Sequence, residues 1–213
     1  MLEARKRLVK ACLIWSAVAT AVAVPFIAAT LSPLLAWREP VYIVACLAGA
    51  VGLGLMLFQP LLIGGALPGF SPYKARGVHR WIGALLVAAV VVHVAGLWIT
   101  SPPDVIDALL FRSPTPFAAW GVIAMWAIFA VAIMVALRQR LGLRPRAWRI
   151  AHTLLAAVIV IGTAVHSVLI EGTMETVSKV ALCALVVAAT LKVIVDKRVW
   201  QSRARRAEQR QTD

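Results

Sequence analysis

The stretches HRWIGALLVAAVVVH, residues 79–93, and HTLLAAVIVIGTAVH, residues 152–166, decide how this chain is read. Each is an apolar segment that opens and closes on histidine, and together they use all 4 histidines of the chain. An α-helix rises about 1.5 Å and turns about 100° per residue, so the fourteen steps from His79 to His93, or from His152 to His166, climb ~21 Å through nearly four turns. Each helix therefore offers two imidazoles close to one face, near opposite sides of a bilayer core about 30 Å thick. A neutral imidazole is the usual axial ligand of a haem iron. Two helices with histidines at two matching depths make a frame for two stacked haems.

The rest of the chain fits a membrane setting. Of 213 residues, 62% are hydrophobic and 15% charged, with a mean hydropathy of +0.87. About 20 apolar residues are needed to cross a bilayer as helix. Six such runs are found, at about 11–36, 41–66, 78–100, 117–137, 149–170 and 177–196. They leave short loops and no room for a folded domain outside the membrane, so residues 1–213 are expected to form one all-α integral membrane domain, a six-transmembrane-helix bundle in contact with lipid.

The formal net charge is +13, and its placement speaks for topology rather than nucleic acid. Lysine and arginine gather at the N-terminus (Arg5, Lys6, Arg7, Lys10) and at Lys74, Arg76 and Arg80. They gather again at Arg138, Arg140, Arg144, Arg146 and Arg149, and in the basic tail, residues 198–213. The remaining loops hold only Arg38 and Arg112, beside Glu39, Asp104, Asp107, Glu171 and Glu175. Cytoplasmic loops carry the Lys/Arg excess, so both termini are expected in the cytoplasm and the basic clusters against anionic lipid. A basic stripe is only an electrostatic footprint, and no nucleic-acid partner is expected. The basic N-terminus followed by an apolar run resembles a secretory signal, but the run is longer than a signal's apolar region.

With six spans and a cytoplasmic N-terminus, the third and fifth helices run parallel, from inside to outside. His79 and His152 then share the inner level, and His93 and His166 the outer one. In a membrane, ionisable residues are costly and mark functional sites by default. A single zinc site is excluded, because the members of a pair are ~21 Å apart along their helix. Two separate two-histidine metal sites stay open, although zinc takes three or four protein ligands and no acid or cysteine lies at these depths. Haem needs only two axial ligands per level. At the inner edge Arg76, Arg80, Arg146 and Arg149 are candidates to pair with haem propionates, with positive-inside anchoring as their other explanation. Trp98, Thr100, Ser101 and Arg112 are the weaker outer candidates. Cys12, Cys46 and Cys183 all fall in spans and read as small buried hydrophobes. Gly49, Gly52 and Gly54 read as close helix packing. Pro25 and Pro33 suggest a kink in or near the end of the first span. Trp81, Trp98, Trp120, Trp148 and Trp200 fall near span ends as an aromatic belt would, and Trp126 reads as packing. Lys179 and Lys192, near the ends of the last span, read as snorkelling to the interface.

The residues Arg76, His79-Arg80-Trp81-Ile82-Gly83, His93, Arg140-Leu141-Gly142-Leu143, Trp148, His152 and His166 resemble the ferric-reductase-like transmembrane domain. That domain is shared by yeast-type ferric reductases, NADPH oxidases and the haem-binding membrane subunit of periplasmic methionine-sulfoxide reductase systems. The resemblance covers roughly Arg76 to Glu175. It implies that His79 and His152 hold the iron of an inner b-type haem, and His93 and His166 that of an outer one, the two carrying electrons across the membrane. Full-length reductases and oxidases continue into a flavin and nicotinamide module, whereas here a short tail follows the sixth span. The expected donor is therefore a separate cytoplasmic one, a flavin reductase, reduced flavin or quinol. The expected acceptor lies on the outer side: a periplasmic oxidoreductase, ferric iron or another oxidant. The expected location is a bacterial inner membrane. No catalytic acid, base or nucleophile is expected. The competing readings are a small transporter whose histidines line an ion path, and a non-redox subunit of a larger complex.

Overall fold

The computed structural model describes residues 2–196, and the basic tail 198–213 with Trp200 lies outside them. The described residues form α1 (Leu2–Thr30), α2 (Pro40–Gly64), α3 (Pro72–Thr100), α4 (Pro102–Leu109), α5 (Pro116–Ala136), α6 (Arg138–Leu141), α7 (Pro145–Leu169) and α8 (Thr176–Asp196), with no strand among them. Six of these, α1, α2, α3, α5, α7 and α8, are long and apolar enough to cross a membrane. The chain is an integral, multi-pass membrane protein.

Proline sets most of the helix starts. Pro40, Pro72, Pro102, Pro116 and Pro145 each occupy the first residue of a helix, where the missing N–H has no intrahelical partner to lose and the fixed φ is already helical. The third span consequently begins at Pro72, earlier than the expected 78, with the Ser71 hydroxyl capping the Lys74 N–H. The first span stops at Thr30 rather than near 36, because Pro33 opens a separate 3₁₀ turn, Pro33–Leu35. The helix runs through Pro25. The connection between the third and fourth spans is itself partly helical, over Pro102–Leu109. Gly65 and Gly142 close α2 and α6 with φ of 70° and 52°, left-handed conformations that glycine adopts without a Cβ clash.

Two helix pairs carry the most extensive packing, α2 against α3 and α5 against α7, and α8 closes the bundle against α2 and α7. The main apolar core is built from Leu53, Met56 and Leu57 of α2, Leu86 of α3, Ala127 and Ile128 of α5, Ile159 and Val160 of α7, and Leu182, Cys183 and Val186 of α8. Leu86 lies seven residues from both His79 and His93, and Ile159 seven from both His152 and His166. The core therefore forms an apolar plug midway between the two histidine levels. Large apolar side chains point outward around it, among them Leu85, Leu154 and Ile133, as expected where the surrounding solvent is lipid. Cys183 is buried, but Cys46 is only half-buried and Cys12 is exposed on α1, contrary to the expectation for all three. Trp126 also departs from expectation: it lies on the outside of α5, with its ring edge-on to Phe129 at 6.0 Å.

Glu175 starts α8 by accepting the N–H groups of Val177 and Ser178, both at 2.7 Å. The Ser178 and Val177 amides hold its carboxyl below the usual carboxylate range. This cap stabilises α8 at neutral pH and above, and the contribution is lost as pH falls through the lowered value. Glu175→Ala is expected to remove that acid dependence from the exchange protection of the first turn of α8, measurable by amide hydrogen exchange at two pH values. Glycine packing gives a second expectation. A methyl group added at Gly96 would stand 2.7 Å from Ala45 Cβ and 3.2 Å from the Val41 carbonyl, whereas one at Gly77 would meet nothing within 4 Å. Gly96→Ala should cost about 1–3 kcal/mol by overpacking, and Gly77→Ala should be neutral or gain up to about 1 kcal/mol, read as opposite shifts of the thermal midpoint in detergent.

Candidate functional site

The four histidines come together in the pairs that parallel helices require. His79 of α3 and His152 of α7 face each other with ring centroids 6.2 Å apart and planes inclined at 66°. His93 and His166, nearer the far ends of the same helices, line one cavity of about 550 Å³, a volume within the range of small-molecule sites. Among the described residues no cluster of three or more His, Cys, Asp or Glu side chains could hold a metal ion by itself.

The outer pair is built twice on one plan. The Nδ1–H of His93 donates to the Ala45 carbonyl of α2 at 2.8 Å, and that of His166 donates to the Phe117 carbonyl of α5 at 2.9 Å. A carbonyl only accepts, so each Nδ1 carries the proton and a neutral ring keeps its Nε2 lone pair free for a ligand. Glycine makes room for both rings, four residues after each carbonyl. An added methyl at Gly49 would stand 3.0 Å from His93 Nδ1, and one at Gly121 only 2.6 Å from His166 Nδ1. Gly96 and Gly162 on the histidine helices complete the close approach, against Ala45 and Val41 and against Ala124 and Trp120. Gly49 was expected only to pack helices. Gly121 and the two carbonyls were not anticipated, because a backbone acceptor leaves no mark in the sequence. The signal that could have found Gly121 is its separation of 45 residues from His166, close to the 44 between Gly49 and His93.

The inner pair is held differently. The Nδ1 atoms of His79 and His152 are buried without a hydrogen-bond partner among the described residues. Buried polar nitrogens are nearly always satisfied, and these two differ from the outer pair in having no carbonyl among the described residues to take an Nδ1 proton. The Trp148 indole stacks on His152 at 6.1 Å with planes inclined at 10°, and the Arg138 guanidinium lies 4.8 Å over the Trp148 ring. Gln59 of α2, unremarked in the sequence, donates its amide N–H to the His79 carbonyl at 3.3 Å. Arg76 and Arg80 on α3, and Arg146 and Arg149 on α7, are exposed at this same end of the bundle. Of the weaker outer candidates, Thr100 and Ser101 line the cavity, while Trp98 and Arg112 are exposed and not part of its wall. Lys192 is exposed and paired with Asp196 at 2.7 Å, as a snorkelling lysine would be. Lys179 instead is buried in the cavity wall, contrary to the expectation that it reaches the interface.

Facing imidazoles at two depths, with an apolar plug between them and glycines beside the outer pair, are an arrangement suited to holding a group between paired histidines. Comparison with protein families places the description "ferric reductase like transmembrane component" on residues 48–163, just over half of the chain. Neither the curated proteins nor the solved structures contain a match to it. Gly121→Ala should displace the His166 ring and break its bond to Phe117, weakening haem binding about 10–100-fold, as loss of an outer-shell partner does. Gly49→Ala, whose closest approach is longer, should do less. Haem content of the two purified variants compares them directly.

Proposed function

The chain belongs to the ferric-reductase-like transmembrane family, whose members bind haem in their membrane core, and from that premise we propose a diheme b-type membrane cytochrome. Membership carries transmembrane electron transfer as the function. The single observation supporting two levels is that the 4 histidines fall as two facing pairs on α3 and α7, with nothing left over.

In this reading His79 and His152 would hold an inner haem, and His93 and His166 an outer one. Bound haem supplies a one-electron carrier at each level. The residues of the chain do the positioning. Ala45 and Phe117 fix the outer rings in the ligand-ready tautomer, and Trp148, braced by Arg138, holds His152 in place. Arg76, Arg80, Arg146 and Arg149 can reach anionic groups at the inner edge and neutralise them. Leu86, Ile159 and the core around them keep water out of the gap between levels, so the transferred charge is an electron rather than an ion.

The basic connections lie at the His79/His152 end. Positive-inside bias supports a cytoplasmic location for that end and for both termini, in a bacterial inner membrane. Electrons would then enter at the inner level from a flavin reductase, reduced flavin or quinol. They would leave at the outer level to a periplasmic oxidoreductase, ferric iron or another oxidant. With two histidines offered to each haem, the site would suit electron transfer better than binding of oxygen.

Alanine substitution at each histidine tests the assignment. His79→Ala and His152→Ala should each lose the inner haem and keep the outer, and His93→Ala and His166→Ala the reverse, each variant holding about half of the wild-type haem per chain. Unchanged haem content in all four variants would contradict the proposal.

A further inference from the structure

Lys179 is the one charged residue in the buried core among the described residues, with 3% of its surface exposed. It sits in the first turn of α8, and its Nζ donates to the Ile170 carbonyl at 2.8 Å. An ammonium has three donors, so this bond leaves two unused. No carboxylate among the described residues lies within ion-pair distance of it. The nearest acid in sequence, Glu175, spends both oxygens on the amides of Val177 and Ser178. Glu171 and Asp104 line the same cavity, but both are exposed and Asp104 is engaged by the Ser101 hydroxyl. The position compounds the cost, since a cation in a helix's first turn opposes the positive end of the helix dipole. A buried charge with one neutral partner is strongly destabilising, and a protein keeps one where something else supplies the opposite charge.

The cavity indicates what that something is. Lys179 shares it with His93 and His166. Its deep end is apolar, with Leu53, Met56, Leu86 and Ile128. An occupant suited to both ends has a flat apolar body between the imidazoles and an anionic group at its margin. We infer that Lys179 is the counter-charge for a propionate of the outer haem, a positioning residue that fixes the haem's rotation in the slot and makes loading of the outer level depend on the haem carboxylates. This rests on the diheme reading above.

The test is reconstitution of the full-length apoprotein in detergent, in a His79→Ala background where only the outer level can load. Two probes are compared: haem, and haem dimethyl ester, in which both propionates are neutral. Lys179→Met is expected to weaken haem binding about tenfold or more, as loss of one member of a charge-assisted pair does. It should leave binding of the dimethyl ester unchanged, and Lys179→Arg should restore haem binding. The Lys179→Met apoprotein should also have a higher thermal midpoint than the parent, because its unpaired buried charge is gone. Haem binding equal to the parent would overturn the inference, and would point to an anion taken from solution as the partner of Lys179. Equal weakening for haem and ester would overturn it as well, leaving Lys179 a packing role. If the parent binds neither probe, the haem reading itself fails and this inference falls with it.

Discussion

A carbonyl oxygen on a neighbouring helix takes the Nδ1 proton of each outer histidine, and much of the bundle follows from that bond. To accept it at 2.8–2.9 Å, Ala45 and Phe117 must lie almost against the imidazole rings. The helices that carry them must therefore pack more closely than ordinary side chains allow. Gly49 and Gly96 permit this between α2 and α3, and Gly121 and Gly162 permit it between α5 and α7. The same two helix pairs have the most extensive packing in the molecule. In lipid there is little hydrophobic drive for helix association, so close contact between small residues is what holds such pairs together. Here one set of glycines provides both the packing and the site.

The two levels differ in a way that suits different duties. At the outer level the rings are fixed by backbone, which no rotamer change can remove. At the inner level aromatic stacking replaces hydrogen bonding, through Arg138, Trp148 and His152, and the Nδ1 atoms have no partner among the described residues. A level held by side chains near the bundle's basic end is more open to adjustment by whatever docks there. Between the levels, the plug around Leu86 and Ile159 gives a low-dielectric gap in which an ion would pay a large desolvation cost. An electron pays far less. That contrast favours electron transfer over an ion path for the same four histidines.

Much of this was legible in the sequence. Six apolar runs gave the six spanning helices, and equal spacing of His79–His93 and His152–His166, combined with helix parity, gave the partners at each level. Boundaries were less legible, because the apolar runs alone set the third and fifth spans at about 78 and 149. Pro72 and Pro145 instead begin α3 and α7 and extend the histidine helices beyond their apolar stretches. Lys179 was misjudged because sequence position near a span end gives no sense of whether a side chain turns to the interface or to a cavity. The carbonyls of Ala45 and Phe117 were invisible for a different reason: every residue has one, and only packing selects which are used. Cys12 and Trp126 went wrong for the same reason, since an apolar neighbourhood in sequence is shared by lipid-facing and core-facing sides of a membrane helix.

The central claim is that each histidine pair holds one haem, and it is most directly tested by haem stoichiometry. The purified full-length protein, expressed with ample haem, would be assayed for haem per chain and scanned as a dithionite-reduced minus oxidised difference spectrum. The account predicts two haems per chain with b-type absorption bands. One haem per chain would contradict the assignment of one of the pairs, and protein free of haem would contradict the account as a whole.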